Sequence, residues 1–185
     1  MTGYTPYTTV VFLHLAGAVG LFVGYGMEWV LSALLRKAAT GEQARAWLMA
    51  YRLSLPISGP ALLLLILTGG YLASKTAEGM KAAWISATLV GIVVALGIGF
   101  GMILPRMKKI RTALQSSGAG ALSAEAAGLL RAPMLGTLIR VRAMIAMGIV
   151  WLMAVKPVGL GEAFGELGVA VVVGLVFAGP LWKKG

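Results

Sequence analysis

Charged side chains are nearly absent from five long stretches of the chain and crowd the segments between them. Met1 to Met27 carries none, and after Glu28 the apolar run resumes as far as Leu35. Leu53 to Ser74 is a second uncharged stretch and Ala82 to Pro105 a third. Pro133 to Val155 is apolar apart from Arg140 and Arg142 near its start, and a fifth stretch, Phe164 to Trp182, opens with Glu166 in its first turn. Each approaches the roughly 20 apolar residues that a helix needs to cross the bilayer core. The pattern predicts five spanning helices, at about 8–35, 53–74, 82–105, 133–155 and 164–182. No shift in composition marks a boundary, so residues 1–185 read as a single transmembrane domain, an all-α integral membrane five-helix bundle.

Shorter elements lie between the spans. In Gly41 to Tyr51 the residues Ala44, Trp47, Leu48 and Tyr51 recur at helical spacing, with Thr40 or Gly41 as the cap. This predicts a surface helix that continues into the second span through a kink at Ser54, Pro56, Ser58, Gly59 and Pro60. The Ala-, Gly- and Ser-rich stretch from Ala113 to Arg131 predicts a loop with one short helix from Ser123 to about Leu130.

The basic residues set an orientation. One side of the five spans collects thirteen Lys and Arg, among them Arg36, Arg45, Arg52, the run Arg106 to Arg111, Arg140, Arg142 and the tail Lys183 and Lys184. The other side has three: Lys75, Lys81 and Lys156. Positive charge stays on the cytoplasmic side, which predicts the N-terminus outside and the C-terminus in the cytoplasm. Tyr4, Tyr7, Tyr71, Trp84 and Trp151 fall near the outer span ends and Trp47, Tyr51 and Trp182 near the inner ones, an aromatic belt; Tyr25 and Trp29 lie deeper. The first stretch has no basic residue before it and no small-residue cleavage site after it, so it reads as a span rather than a signal peptide. Richness in Ala, Gly and Arg suggests a bacterial source, and with it a multi-pass protein of the bacterial cytoplasmic (inner) membrane.

Composition agrees and narrows the chemistry. The chain is 59% hydrophobic and 12% charged, where soluble domains carry about 25% charge, and its mean hydropathy is +0.90. The net charge of +10 points to anionic lipid rather than nucleic acid, because the loops offer neither stacking aromatics nor a folded binding module. There is no Cys, no Asp and a single His. That excludes thiolate chemistry, a Ser-His-Asp triad and, within one chain, a 2-His-1-carboxylate iron site. Most of the 26 glycines lie in spans, with Gly17, Gly20 and Gly24 on the first and Gly91, Gly97, Gly99 and Gly101 on the third. Small residues allow close helix approach, either within the bundle or in a homodimer, or they leave room for a flat ligand.

The candidate chemistry centres on the first span. His14 sits about six residues inside the outer boundary, and an ionisable group at that depth is a candidate functional residue. Neutral imidazole suits haem iron or copper and can also hydrogen-bond a quinone. Met147 and Met153 on the fourth span are the accompanying thioether candidates, since thioethers bind Cu(I), although methionine is also an ordinary packing residue. With one His per chain, a haem b would take His and Met, His alone, or His14 from two protomers. Glu28 follows His14 by 14 residues, which puts both on one helix face about 21 Å apart. A buried carboxylate needs a partner, and Arg140 and Arg142 enter the fourth span from the same side at comparable depth, so a buried ion pair of Glu28 with one of them is expected.

The run Phe12-Leu13-His14-Leu15-Ala16-Gly17-Ala18-Val19-Gly20 at the start of the first span resembles small uncharacterised bacterial integral membrane proteins. More distantly it is similar to the copper-resistance protein D superfamily and the membrane-bound protoporphyrinogen oxidases. The oxidase resemblance implies a haem-ligand role for His14 alone. The Trp-Gly/Ala-Gly stretch and the Arg after a Pro that continue the oxidase pattern are missing from Leu21 to Met27. Three functions stay open at this point: a membrane protein that holds haem, copper or quinone at His14, a small permease or channel lined by the His14/Glu28 face, and a structural or assembly subunit. An intramembrane enzymatic activity is compatible with the first.

Overall fold

A computed structural model describes residues 5–76 and 79–183; Tyr4, Glu78 and Lys184 lie outside them. The described chain is helical, with one isolated bridge between Thr40 and Ala121. α1 spans Pro6–Lys37, α2 Gly41–Arg52, α3 Leu55–Ser74, α4 Ala83–Leu96, α5 Leu104–Ser116, α6 Ala124–Arg131, α7 Pro133–Val155 and α8 Leu160–Trp182. A single 3₁₀ turn, Gly79–Lys81, precedes α4. Five runs are long and apolar enough to cross a membrane: α1, α2 with α3, α4 with α5, α6 with α7, and α8.

Local chemistry explains the element boundaries. Thr5 caps α1 in a reciprocal hydrogen-bonded box with Thr8, and Pro6 fills the first turn, where its missing N–H is not needed. Thr40 caps α2 by accepting from the Gln43 N–H, and Ser123 caps α6 by accepting from the Ala126 N–H. The third run departs most from the sequence expectation. It does not stop at Pro105 but continues to Ser116, because the chain passes through a wider π turn, Gly97–Ile103, before α5 begins. A π turn rearranges the backbone bonds that a proline would otherwise break. The basic run Arg106 to Arg111 is therefore helical.

α7 is the central helix, with 12 of its 23 residues buried. Small residues set how closely its neighbours approach. A Cβ at Gly174 of α8 would stand 2.7 Å from the Cα of Val141, and one at Gly148 of α7 would stand 2.7 Å from the Cβ of Ala170. On the other side α1 rests on α3 through Gly24, where a Cβ would lie 2.7 Å from that of Ser58. Gly17 and Gly20 lie against Leu65 and Ala61 in the same seam. The first-span glycines are thus used inside the chain, whereas Gly97 and Gly101 face open space.

The basic end of the bundle carries a second core that the loop lengths did not suggest. Leu35, Leu48, Ile110, Leu114, Leu130 and Ile139 are buried together where α2, α5 and α6 fold over the ends of α1 and α7. Arg45 ties this layer together by donating to the carbonyls of Leu114 (3.0 Å) and Ser117 (2.9 Å).

Candidate functional site

The inward face of α1 buries Leu21, Gly24, Tyr25 and Glu28 in succession. Glu28 is 2% exposed. Of the two arginines that enter with α7, Arg142 forms the ion pair with it. Tyr51, from the last turn of α2, donates its hydroxyl to Glu28 Oε2 at 3.2 Å. The Arg142 guanidinium also lies over the Tyr25 ring, 4.4 Å from its centroid. Three segments that are distant in sequence thus converge on one carboxylate.

The π turn makes room for this cluster. A Cβ at Gly99 would stand 2.9 Å from Arg142 Nη1, so only glycine accepts the guanidinium there without displacing it. π turns occur mostly as isolated insertions and frequently mark functional sites.

Beside the ion pair lies a cleft of about 350 Å³. It runs between α3 and the α4–α5 run, which pack on α1 and α7 respectively rather than on each other. Glu28, Tyr51 and Arg142 form its polar floor, while Leu62, Leu96 and Phe100 give it apolar walls. Phe100 is 70% exposed and Leu55 51%, so the cleft opens sideways where lipid would lie. Arg52, Lys108 and Arg111 stand at its basic end. Against the one carboxylate of Glu28 the lining sets four cations.

Arg140 is placed differently. It lies over the Trp29 ring at 4.8 Å and donates to the Gly136 carbonyl at 2.9 Å. His14, half-buried, meets α3: its Nδ1 is 2.9 Å from Thr68 Oγ1, and the space above Gly69 receives the ring, with Cε1 3.2 Å from where a Cβ would stand. Thr68 gives its only hydroxyl proton to the Leu64 carbonyl at 2.6 Å. With the Thr68 proton so engaged, the Nδ1–H tautomer of the imidazole completes the bond and leaves the lone pair on Nε2. Met147 is 49% exposed on α7 and Met153 is partly buried. If distance along α1 and α7 is counted from the Glu28–Arg142 pair, Met153 comes near the level of His14 and Met147 stops about 13 Å short. Among the described residues no three of His, Cys, Asp and Glu gather as a metal-binding group.

Residues 8–157 match the family described as predicted integral membrane protein (DUF2269). The chain belongs to that family. The match takes in the first four spans, with His14, Glu28, Tyr51 and Arg142, and ends before α8. Neither a curated protein nor a solved structure matches the chain. It is a multi-pass integral membrane protein, in contact with lipid along its exposed apolar faces.

Two features of the site carry little signal in the sequence. Tyr51 reads as a residue of the aromatic belt, and nothing in its spacing points to Glu28. The π turn had no signal beyond its cluster of glycines.

Proposed function

We propose that the protein binds an amphipathic acid, a single-chain lipid with a carboxylate or phosphate head, in the cleft beside Glu28 and Arg142. One observation carries this reading: a pocket with apolar walls that opens toward lipid is lined by three more positive charges than negative ones. Its volume is at the lower end of the roughly 300–1,000 Å³ typical of ligand sites. The head would meet Arg52, Lys108 and Arg111, and the chain would run past Leu62 and Phe100 toward the lipid-facing opening. In this reading, the basic end faces the cytoplasm, as the positive-inside rule favours, and the membrane is the bacterial inner membrane.

The test is photolabelling in nanodiscs with a diazirine-bearing fatty acid, followed by peptide mapping. Labelling concentrated on the segments around residues 58–62 and 96–104 is expected. Gly59 lines the cleft and has open space where a Cβ would be, so Gly59→Trp should put its side chain into the cleft and abolish that labelling. Labels spread evenly over all lipid-facing helices, and unchanged in Gly59→Trp, would refute the reading.

A second reading rests on the tautomer of His14. An imidazole fixed by Nδ1–H to Thr68 presents Nε2 as a ligand atom, the arrangement metal-binding histidines commonly use. His14 therefore fits as one axial ligand of haem or as a copper ligand, with Met153 at a similar level; haem would bring electron transfer to the outer half of the bundle. An absorption spectrum of the purified protein from 300 to 700 nm decides it. A Soret band lost in His14→Ala supports the reading, and a featureless spectrum with no bound copper by metal analysis removes it.

A further inference from the structure

A second cluster lies at the basic end, on the α8 side of the bundle and separate from the cleft. Arg36 is in the last turn of α1, and Arg140 is in the third turn of α7. Both bracket the end of α8. Arg36 Nη2 donates to the Leu181 carbonyl at 3.2 Å, and Trp182 Nε1 donates to Thr137 Oγ1 at 3.1 Å. Gly136 permits the closure, since a Cβ there would stand 2.7 Å from Leu181 Cδ1 and 2.9 Å from Arg140 Nη1.

Leu181 links the two arginines: Arg36 donates to its carbonyl, and its side chain and Arg140 Nη1 both border the space above Gly136. Among the described residues neither has an acidic partner, because Glu28 is paired with Arg142. Arg36 Nη1 and Arg140 Nε are both buried, with no hydrogen-bond partner among the described residues. Arg140 as a whole is 8% exposed. Buried charged donors left unused are costly. An anion that accepts from both arginines would remove that penalty. Guanidinium is the side chain best matched to phosphate oxygens.

We propose that Arg36 and Arg140 together form a site for the phosphate of an anionic phospholipid headgroup. The surroundings favour a lipid over free phosphate. Trp182 is 56% exposed beside the site and Phe177, five residues earlier in α8, is 52% exposed. They give an acyl chain an apolar track along α8, and an indole at a span end is typical of the headgroup region. The inference rests on the unused buried donors Arg36 Nη1 and Arg140 Nε and does not depend on occupancy of the cleft.

The test uses the full chain in a neutral detergent, in the Gly59→Trp background so that the cleft does not contribute. Native mass spectrometry measures retention of phosphatidylglycerol against phosphatidylcholine, with and without inorganic phosphate. Preferential retention of phosphatidylglycerol is expected, insensitive to added phosphate. A basic residue near a membrane surface adds about 1 kcal/mol to anionic-lipid binding, so Arg36→Gln and Arg140→Gln should each weaken retention about fivefold. Lys109→Gln, an exposed basic residue outside the cleft lining, should leave it unchanged. If Arg140→Gln fails to fold, Arg36→Gln alone and quenching of tryptophan fluorescence by brominated phosphatidylglycerol carry the test. That quenching should shrink in Trp182→Phe and in Arg36→Gln. Displacement of the lipid by inorganic phosphate would overturn the lipid assignment. Retention or quenching equal to wild type in the arginine variants would overturn the site.

Discussion

Cutting one member of the Glu28–Arg142 pair should cost more than cutting both. Glu28 is 2% exposed and the Arg142 side chain 11%, so neither charge can turn to water when its partner is removed. Removing one side of a buried pair typically costs about 3–5 kcal/mol, because a bare charge stays behind. The two single changes are not equivalent. Arg142→Met leaves the carboxylate with the Tyr51 hydroxyl as its remaining donor, which puts the loss near the top of that range, about 4–5 kcal/mol. Glu28→Gln leaves the guanidinium over the Tyr25 ring, and a desolvated cation–π contact returns about 2 kcal/mol, so the loss falls to about 2–3 kcal/mol. The double variant Glu28→Gln/Arg142→Met buries no charge, and its loss should be about 1–2 kcal/mol, mostly of packing and hydrogen bonds. The assay is unfolding by SDS titration in mixed micelles, followed by far-ultraviolet circular dichroism, on all four proteins. A coupling energy of at least about 3 kcal/mol is expected. Additivity within about 0.5 kcal/mol, the behaviour of independent sites, would refute the claim that these residues form one buried unit.

Two further predictions test the frame around the site. Tyr51→Phe removes one hydrogen bond to a buried carboxylate and no volume, so it should cost about 1.5–3 kcal/mol in the same titration; a loss below about 0.5 kcal/mol would mean that the α2 contact is incidental. Gly174→Leu drives a side chain into the α7 backbone at Val141 and should cost more than about 2 kcal/mol, while Gly168→Ala, with open space around it, should be nearly neutral; equal effects would contradict the α7–α8 packing.

The spans were legible because the bilayer imposes a length and a composition that a single sequence can display. The pairing of Glu28 was legible in part for the same reason. A carboxylate so deep demands a cation, and only Arg140 and Arg142 entered the bundle at that level. The choice between them was not legible. Arg140 and Arg142 differ by two residues, or about 200° around α7, so the rotation of that helix decides which one faces α1. That rotation is set by Gly148 and Gly174, where α7 and α8 touch, and no pattern within α7 reports it. Tyr51 illustrates the same limit: it reaches Glu28 because α2 folds back over the end of the bundle, a tertiary fact. The π turn is the most instructive case. Pro105 and the basic run after it look like the end of a span, and a regular α-helix would break there. By taking a wider turn at Gly97–Ile103 the chain keeps its helix, carries Lys108 and Arg111 to the mouth of the cleft, and opens at Gly99 the space that Arg142 occupies. One local departure from α geometry thus joins the buried ion pair, the cleft and its basic entrance, and substitution at Gly99 should disturb all three at once.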